Sequence, residues 1–127
     1  MNIDIRTIPH KEQRYDTAGD YTEDEGLLTI RVSKLGEWKM DACMAIHELV
    51  EALLCKARGI KFERIDEFDK AFEERRAAGL EREYAEPGLS PESPYFREHI
   101  AAMKIEECLA DELGISWSEY SRRVDAL

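Results

Sequence analysis

The fold of this chain is decided by residues 38–57, whose sequence is WKMDACMAIHELVEALLCKA. Apolar residues recur there every three or four positions, which is the spacing of an amphipathic helix. A basic residue, Lys56, stands in the last turn and Gly59 follows soon after, which is typical of a helix C-terminus. The stretch predicts one long helix. Its broad apolar sector consists of Met40, Cys43, Met44, Ile46, Val50, Leu53 and Leu54.

Two polar residues, His47 and Glu51, fall inside this apolar sector. They are four positions apart and therefore stack on one face of the helix, while Glu48 lies at the edge of the sector. A buried carboxylate is costly unless it is paired, protonated or bound to a metal ion. The pattern leaves two interpretations open: a His–Glu pair within the core, or two ligands of a metal site.

A second helix with the same anomaly is predicted over residues 94–113. Ser93, followed by a proline, is a typical helix start, and Gly114 is a typical helix end. His99 and Glu106 are seven residues apart and so share one face. That face is an apolar stripe formed by Tyr95, Met103, Ala110 and Leu113.

The apolar faces of these two helices, each with a histidine and a glutamate within it, are expected to face each other across a single small core. His47, Glu51, His99 and Glu106 would then converge. Two imidazoles with carboxylates are a suitable donor set for a divalent transition metal, and we expect zinc, with manganese and iron as alternatives. A polar network without metal is the competing interpretation, because hydrogen-bonded networks are common in protein cores.

The remaining elements flank these two helices. Alternating residues predict strands over about 2–8 and 27–33, separated by a polar segment with room for a short strand near Tyr21. Helical spacing predicts further helices over about 65–86 and 117–126. This order predicts an α+β fold in which one domain of 127 residues packs a small amino-terminal β-hairpin or sheet on a core of three to four helices.

The chain is acidic, with 18 Lys and Arg against 28 Asp and Glu and a formal net charge of −10. This balance argues against nucleic acid as the main partner. No apolar run approaches the roughly 20 residues of a membrane span, and the acidic, alternating amino terminus is unlike a signal peptide. The three cysteines are odd in number and form no Cys-x-x-Cys pair, which predicts a reducing compartment, the cytoplasm.

The segment His47-Glu48-Leu49-Val50-Glu51 resembles the H-E-x-x-H helix of zincin metallopeptidases. The resemblance extends over roughly residues 27–57, because a zincin usually has a strand shortly before this helix. It implies that His47 is the first metal ligand and that Glu48 is the general base that activates water. Glu51 stands where the family has its second histidine.

The resemblance implies a third ligand from a later helix, which His99 or Glu106 would supply. It also implies a hydrolase whose substrate is a peptide. The whole chain is similar to small uncharacterised proteins of phages and prophages, a likeness that implies no activity.

Three other functions stay open. Glu48 and Glu51 on one helix with Glu106, Glu107 and Asp111 on another resemble the all-α nucleotide pyrophosphatases, which hold magnesium between acidic helices. The cluster could instead serve a non-catalytic scaffold, with or without a stabilising metal. The negative charge would also suit an acidic interaction protein that binds a basic partner.

Overall fold

The computed structural model describes all 127 residues and contains a three-stranded sheet, built from β1 (Asn2–Ile8), β2 (Gly19–Asp24) and β3 (Leu27–Ser33). The strand order is β1-β3-β2, with β1 parallel and β2 antiparallel to the central β3. The two predicted strands are confirmed, and the hairpin joins β2 to β3. The segment predicted to be mainly turn contributes the whole of β2, around Tyr21.

The sheet has one apolar and one polar face, as the alternation in β3 predicts. Leu28, Ile30 and Val32 are fully buried on the side that faces the helices. The hairpin turn at Glu25 and Gly26 places both residues in the left-handed region, with φ of 46° and 78°. A tight two-residue connection of this kind matches the right-handed twist of the strands it joins.

The sheet is followed by four helices: α1 (Trp38–Ala57), α2 (Phe62–Ala77), α3 (Phe96–Glu112) and α4 (Trp117–Asp125). Together with the amino-terminal sheet they confirm the predicted α+β fold. The bounds of α1 are those predicted, and none of the helices is long and apolar enough to cross a bilayer. Ser116 caps α4, since its hydroxyl accepts a hydrogen bond from the Glu119 N–H.

The prediction for α2 was wrong at its end, because the helix stops at Ala77 instead of continuing to residue 86. Gly79 takes a positive φ of 76°, which terminates the helix. The Arg76 guanidinium then binds backbone carbonyls of residues 82, 83 and 85, so the following segment folds back as a loop. This loop carries Glu86 towards α3.

The start of α3 also differs slightly from the prediction, at Phe96 instead of residue 94. Ser93 does not cap the helix itself; its hydroxyl accepts a hydrogen bond from the Tyr95 N–H within the preceding turn. The shift leaves the predicted stripe intact, because Tyr95, His99, Glu106 and Ala110 are all buried.

Fourteen buried apolar residues form one core cluster that α1 shares with β3 and α3. The buried face of α1 is rotated relative to the predicted sector, towards Glu48. Leu53 was expected in the core but is 36% exposed, and Ile46 and Val50 are only half-buried. The buried face consists of Met40, Cys43, Met44, His47, Glu48, Glu51, Ala52 and Cys55.

Candidate metal centre

Three side chains from α1 and α3 meet in the core with their ligand atoms almost in contact. The Nε2 atom of His47 lies 3.1 Å from Oε2 of Glu51 and 3.2 Å from Nδ1 of His99. The third side of the triangle, from Nδ1 of His99 to the same Glu51 oxygen, is 2.8 Å. All three residues are more than nine-tenths buried. The packing of α1 against α3 therefore creates the convergence that the two stripes predict.

The outward nitrogen of each histidine is held by a second carboxylate. The Nδ1 atom of His47 lies 2.8 Å from Oε1 of Glu106, and Nε2 of His99 lies 3.1 Å from Oε2 of Glu86. A carboxylate in that position accepts the ring N–H, which fixes the tautomer and turns the other nitrogen inward. Both inner nitrogens then carry a lone pair whenever their rings are neutral.

The inner triangle consequently needs a cation. Two imidazole lone pairs and a carboxylate oxygen that approach within 3.2 Å repel one another unless a proton or a metal ion lies among them. Without metal, protons fill this role: burial disfavours a charged ring, but hydrogen bonds to Glu51 and Glu86 raise the pKa of His99 to about 9. Burial likewise opposes ionisation of Glu51, but its bonds to His47 and His99 lower its pKa to about 2.

The geometry of the triangle fits a small divalent ion. Zinc bonds of 2.0–2.1 Å to nitrogen and oxygen place tetrahedral ligand atoms roughly 3.3 Å apart. The observed separations of 2.8–3.2 Å are slightly shorter, so His47, Glu51 and His99 could adopt that spacing with small side-chain movements. A donor set of two imidazoles and one carboxylate is also one that zinc, iron and manganese accept.

Glu106, which was predicted as a metal ligand, lies outside this triangle. Its carboxylate is on the far side of the His47 ring, where Oε1 accepts the ring N–H and Oε2 accepts a 2.5 Å hydrogen bond from the Tyr120 hydroxyl. Both oxygens are therefore engaged away from the ligand atoms. Glu106 orients His47 and would leave the first coordination shell to Glu51 and the two histidines.

Glu48 is the one carboxylate of the centre whose side chain makes no hydrogen bond. It is 8% exposed and lies beside Gly19, where an added Cβ would sit 2.5 Å from its carboxylate. Burial and the neighbouring Glu51 charge raise its pKa well above the ordinary value for glutamate. A carboxyl group with a raised pKa that opens into a cavity is suited to accept and return a proton.

A cavity of about 440 Å³ opens over the centre and reaches the surface. Among its lining side chains are eleven carboxylates, three histidines and one arginine, Arg76. Gly88 in the wall lies against the His99 ring, so close that an added Cβ would overlap it. The absence of a side chain at this position lets the loop after α2 approach the centre and deliver Glu86.

Asp69 in the cavity wall provides a test of these electrostatics. Burial raises the pKa of Asp69 to about 7, although the hydroxyls of Tyr95 and Tyr15 donate hydrogen bonds to its carboxylate. Since the pKa in the folded chain exceeds the unfolded value of about 3.9, the folded state binds the proton more tightly between these pH values. Stability contributed by Asp69 is therefore fully present below pH 4 and is lost as the pH rises through 7.

We expect Asp69→Asn to remove this dependence. The difference in unfolding free energy between variant and wild type, measured in urea at pH 5 and pH 8, should shift by on the order of 2 kcal/mol in favour of the variant at pH 8. Parallel pH profiles for the two proteins would contradict a raised pKa at Asp69.

The other residues considered from the sequence lie away from the centre. Glu107 and Asp111 are on the exposed side of α3, so the acidic pairs expected of a pyrophosphatase do not come together. His10 lies in a loop, where its ring bonds to Ser33 and Asp16. Cys43 and Cys55 are buried in the core, whereas Cys108 is exposed on α3.

Sequence reasoning missed three residues that support the centre. Tyr21 on β2 donates a 2.8 Å hydrogen bond to Oε1 of Glu51, Tyr120 on α4 binds Glu106, and Glu86 binds His99. Each comes from a different element, so no spacing within the sequence connects it to α1 or α3. Only Tyr21 could have been found from the sequence. It lies opposite Ile30 in the sheet, and a strand assigned around it would have placed its side chain on the buried face.

Comparison with known proteins adds no assignment: no family model, no curated protein and no solved structure matches this chain.

Proposed function

We propose that the chain is a metal-dependent hydrolase of zincin-like design. His47, Glu51 and His99 would hold one divalent ion, for which zinc is the first candidate. The observation that carries the proposal is the double support of the histidines, since Glu106 and Glu86 bind the outward nitrogens and turn the inward ones towards Glu51.

The side chains divide the chemical work as follows. A divalent ion bound there would polarise a substrate carbonyl and lower the pKa of water. Glu48, which has no hydrogen-bonding partner and lines the cavity, is the group placed to take a proton from water and pass it to the leaving group. Tyr21 holds Glu51 in position, because its hydroxyl donates a hydrogen bond to Oε1 of that carboxylate.

The cavity favours a positively charged substrate. Eleven lining side chains are carboxylates and one is an arginine, which is already engaged with Glu73 and with carbonyls of the loop after α2. Arg14 pairs with Asp20 and Asp66 from outside the lining. The raised pKa values of Glu48 and Asp69 lower the charge further, but the remaining carboxylates keep the cavity acidic. A phosphate or another anion would be repelled by this surface, whereas a Lys- or Arg-containing peptide would be attracted. The charge thus supports a basic peptide over the nucleotide substrate of a pyrophosphatase.

The metal content of the purified, tag-free protein tests the proposal. After dialysis against chelator and reloading with zinc, we expect about one ion per chain by mass spectrometry. His99→Ala should lose the ion, because it removes one of three donors from a buried site. His10→Ala is the matched control, since His10 is the histidine outside the triangle and its loss should leave the stoichiometry unchanged.

Failure to retain zinc, manganese or iron after reloading would overturn the proposal. The three residues would then form a protonated core network within a non-catalytic scaffold. Full stoichiometry in the His99→Ala protein would also contradict it, because the ion would be bound elsewhere.

A further inference from the structure

The edge of the sheet formed by β1 is open. β1 is hydrogen-bonded to β3 along one side only, through its even-numbered residues; for example, the Asn2 N–H donates to the carbonyl of Gly26. Backbone groups alternate in direction along a strand, so those of the odd-numbered residues point away from β3. Ile3, Ile5 and Thr7 therefore present N–H and carbonyl groups that are free to pair with another strand.

β1 also carries apolar side chains on the face of the sheet that the helices cover elsewhere. Ile3 and Ile5 stand in register with Leu28 and Ile30, on the side of the sheet that packs against the helices. The helix α1 packs against β3 and β2 and makes no comparable contact with β1. Ile3 and Ile5 are consequently 46% exposed each, while their neighbours on β3 are fully buried.

A groove of about 410 Å³ separates β1 from α1 and extends this apolar surface. Ile5, Ala42, Ala45 and Ile46 line it, and Trp38, 67% exposed, stands at one end. Ala45 packs partly against the core, whereas Trp38, Ala42 and Ile46 belong to the side of α1 that the core leaves uncovered. An open strand edge beside an uncovered apolar groove is a surface that proteins normally protect.

We propose that this surface is the interface of a homodimer in which β1 pairs antiparallel with β1 of a second copy about a twofold axis at Ile5. The free groups of Ile3, Ile5 and Thr7 would pair with those of the partner and join the two sheets into one of six strands. Because the axis is normal to the sheet, both α1 helices lie on the same face, and the two apolar grooves meet above the seam.

The charges of β1 favour a second copy of this chain as the partner, and they also favour one register of pairing. In the register centred on Ile5, each Asp4 stands opposite the partner's Arg6 on the solvent face. Centring on Asp4 would oppose two carboxylates, and centring on Arg6 would oppose two guanidiniums, which destabilises a strand pair. Within one chain the Arg6 Nε already lies 2.8 Å from Asp4 Oδ2, so pairing of two copies extends an existing ion pair into a square of four charges of alternating sign.

Sedimentation velocity over a range of protein concentrations tests the proposal. We expect a reversible dimer for the wild type. Asp4→Arg and Arg6→Asp should each weaken dimerisation by about tenfold or more, because like charges then face each other across the seam. The double variant Asp4→Arg/Arg6→Asp restores opposite charges in the same register and should dimerise again. Asp24→Arg, on the far edge of the sheet, is the control and should behave as wild type.

The four variants change exposed or half-buried side chains, and circular dichroism will verify that each remains folded. A wild type that stays monomeric at every concentration would overturn the proposal. A dimer that ignores both single charge reversals would place the interface elsewhere and overturn it equally. If Asp4→Arg and Arg6→Asp each dimerise while the double variant does not, Asp4 and Arg6 do not face each other across the seam. That result would exclude the antiparallel register centred on Ile5.

Discussion

If the chain is the proposed hydrolase, replacing Glu48 with glutamine is expected to leave metal binding intact and to slow hydrolysis by a factor of about 10²–10⁴, the usual contribution of a general base. Glutamine has nearly the same shape but cannot accept the proton from water. Glu48 contributes no ligand atom to the triangle of His47, Glu51 and His99, and it makes no side-chain hydrogen bond that the substitution would break. Burial and the nearby charge of Glu51 raise the pKa of Glu48.

The assay should use zinc-loaded protein and fluorogenic peptides that carry Lys or Arg next to the scissile bond, with Glu-containing peptides for comparison. Glu107→Gln is the matched control, because Glu107 is exposed on α3 and lies outside the cavity. A Glu48→Gln protein that keeps the wild-type rate would remove Glu48 from the mechanism. Equal rates on basic and acidic peptides would contradict only the substrate preference and leave the hydrolase intact.

Local rules were sufficient to predict the long elements of this fold. Apolar periodicity and a terminal glycine predicted α1 to the residue, and alternation predicted β1 and β3. They indicated only a possible short strand near Tyr21 for β2, because the charged residues around it are typical of a turn. Asp20 becomes buried there only because Arg14 forms two hydrogen bonds to its carboxylate, and a bond between distant side chains leaves no local signal.

The rotation of α1 shows a second limit of pattern reasoning. The helix is apolar on more than one side, since Ile46, Val50 and Leu53 continue the sector that Met40 and Met44 begin. A pattern identifies which residues are apolar but does not say which of two apolar sides the core uses. The sheet and α3 pack against the side that contains His47, and the other side is left beside β1. The same ambiguity therefore accounts for a wrong prediction and for the surface that we assign to dimerisation.

The centre was partly predictable for a related reason. His47, Glu51 and His99 share helix faces, so their spacing reveals them, and their convergence follows from packing α1 on α3. The spacing on α3 also identified Glu106. It could not show that Glu106 binds the outward Nδ1 atom of His47 and so lies outside the triangle of ligand atoms. Glu86 could not be predicted, because it reaches His99 only since α2 ends early, at Ala77, and the chain turns at Gly79.

Glu51→Ala is expected to destabilise the metal-free protein by about 3–5 kcal/mol, the cost of breaking a buried charge network. Glu51 accepts hydrogen bonds from Tyr21, His47 and His99. Alanine leaves those donors without an acceptor, and it removes the negative charge that stabilises the two buried rings. Urea unfolding in the presence of chelator measures the loss, with the exposed Glu107→Ala as control, which should change the free energy of unfolding by less than about 0.5 kcal/mol.

The stabilisation that zinc adds to each protein then shows whether Glu51 is a metal ligand or only part of the hydrogen-bonded network. A ligand that binds only the folded state adds about 2.7 kcal/mol at a concentration of 100 times its Kd. We expect zinc to stabilise the wild type by an amount of this size and to leave Glu51→Ala unchanged, because the variant lacks one of three donors. An unfolding midpoint that does not respond to Glu51→Ala would contradict the buried network itself. Destabilisation with equal zinc stabilisation in both proteins would keep the network and exclude Glu51 as a ligand, since the ion would then be held without its carboxylate.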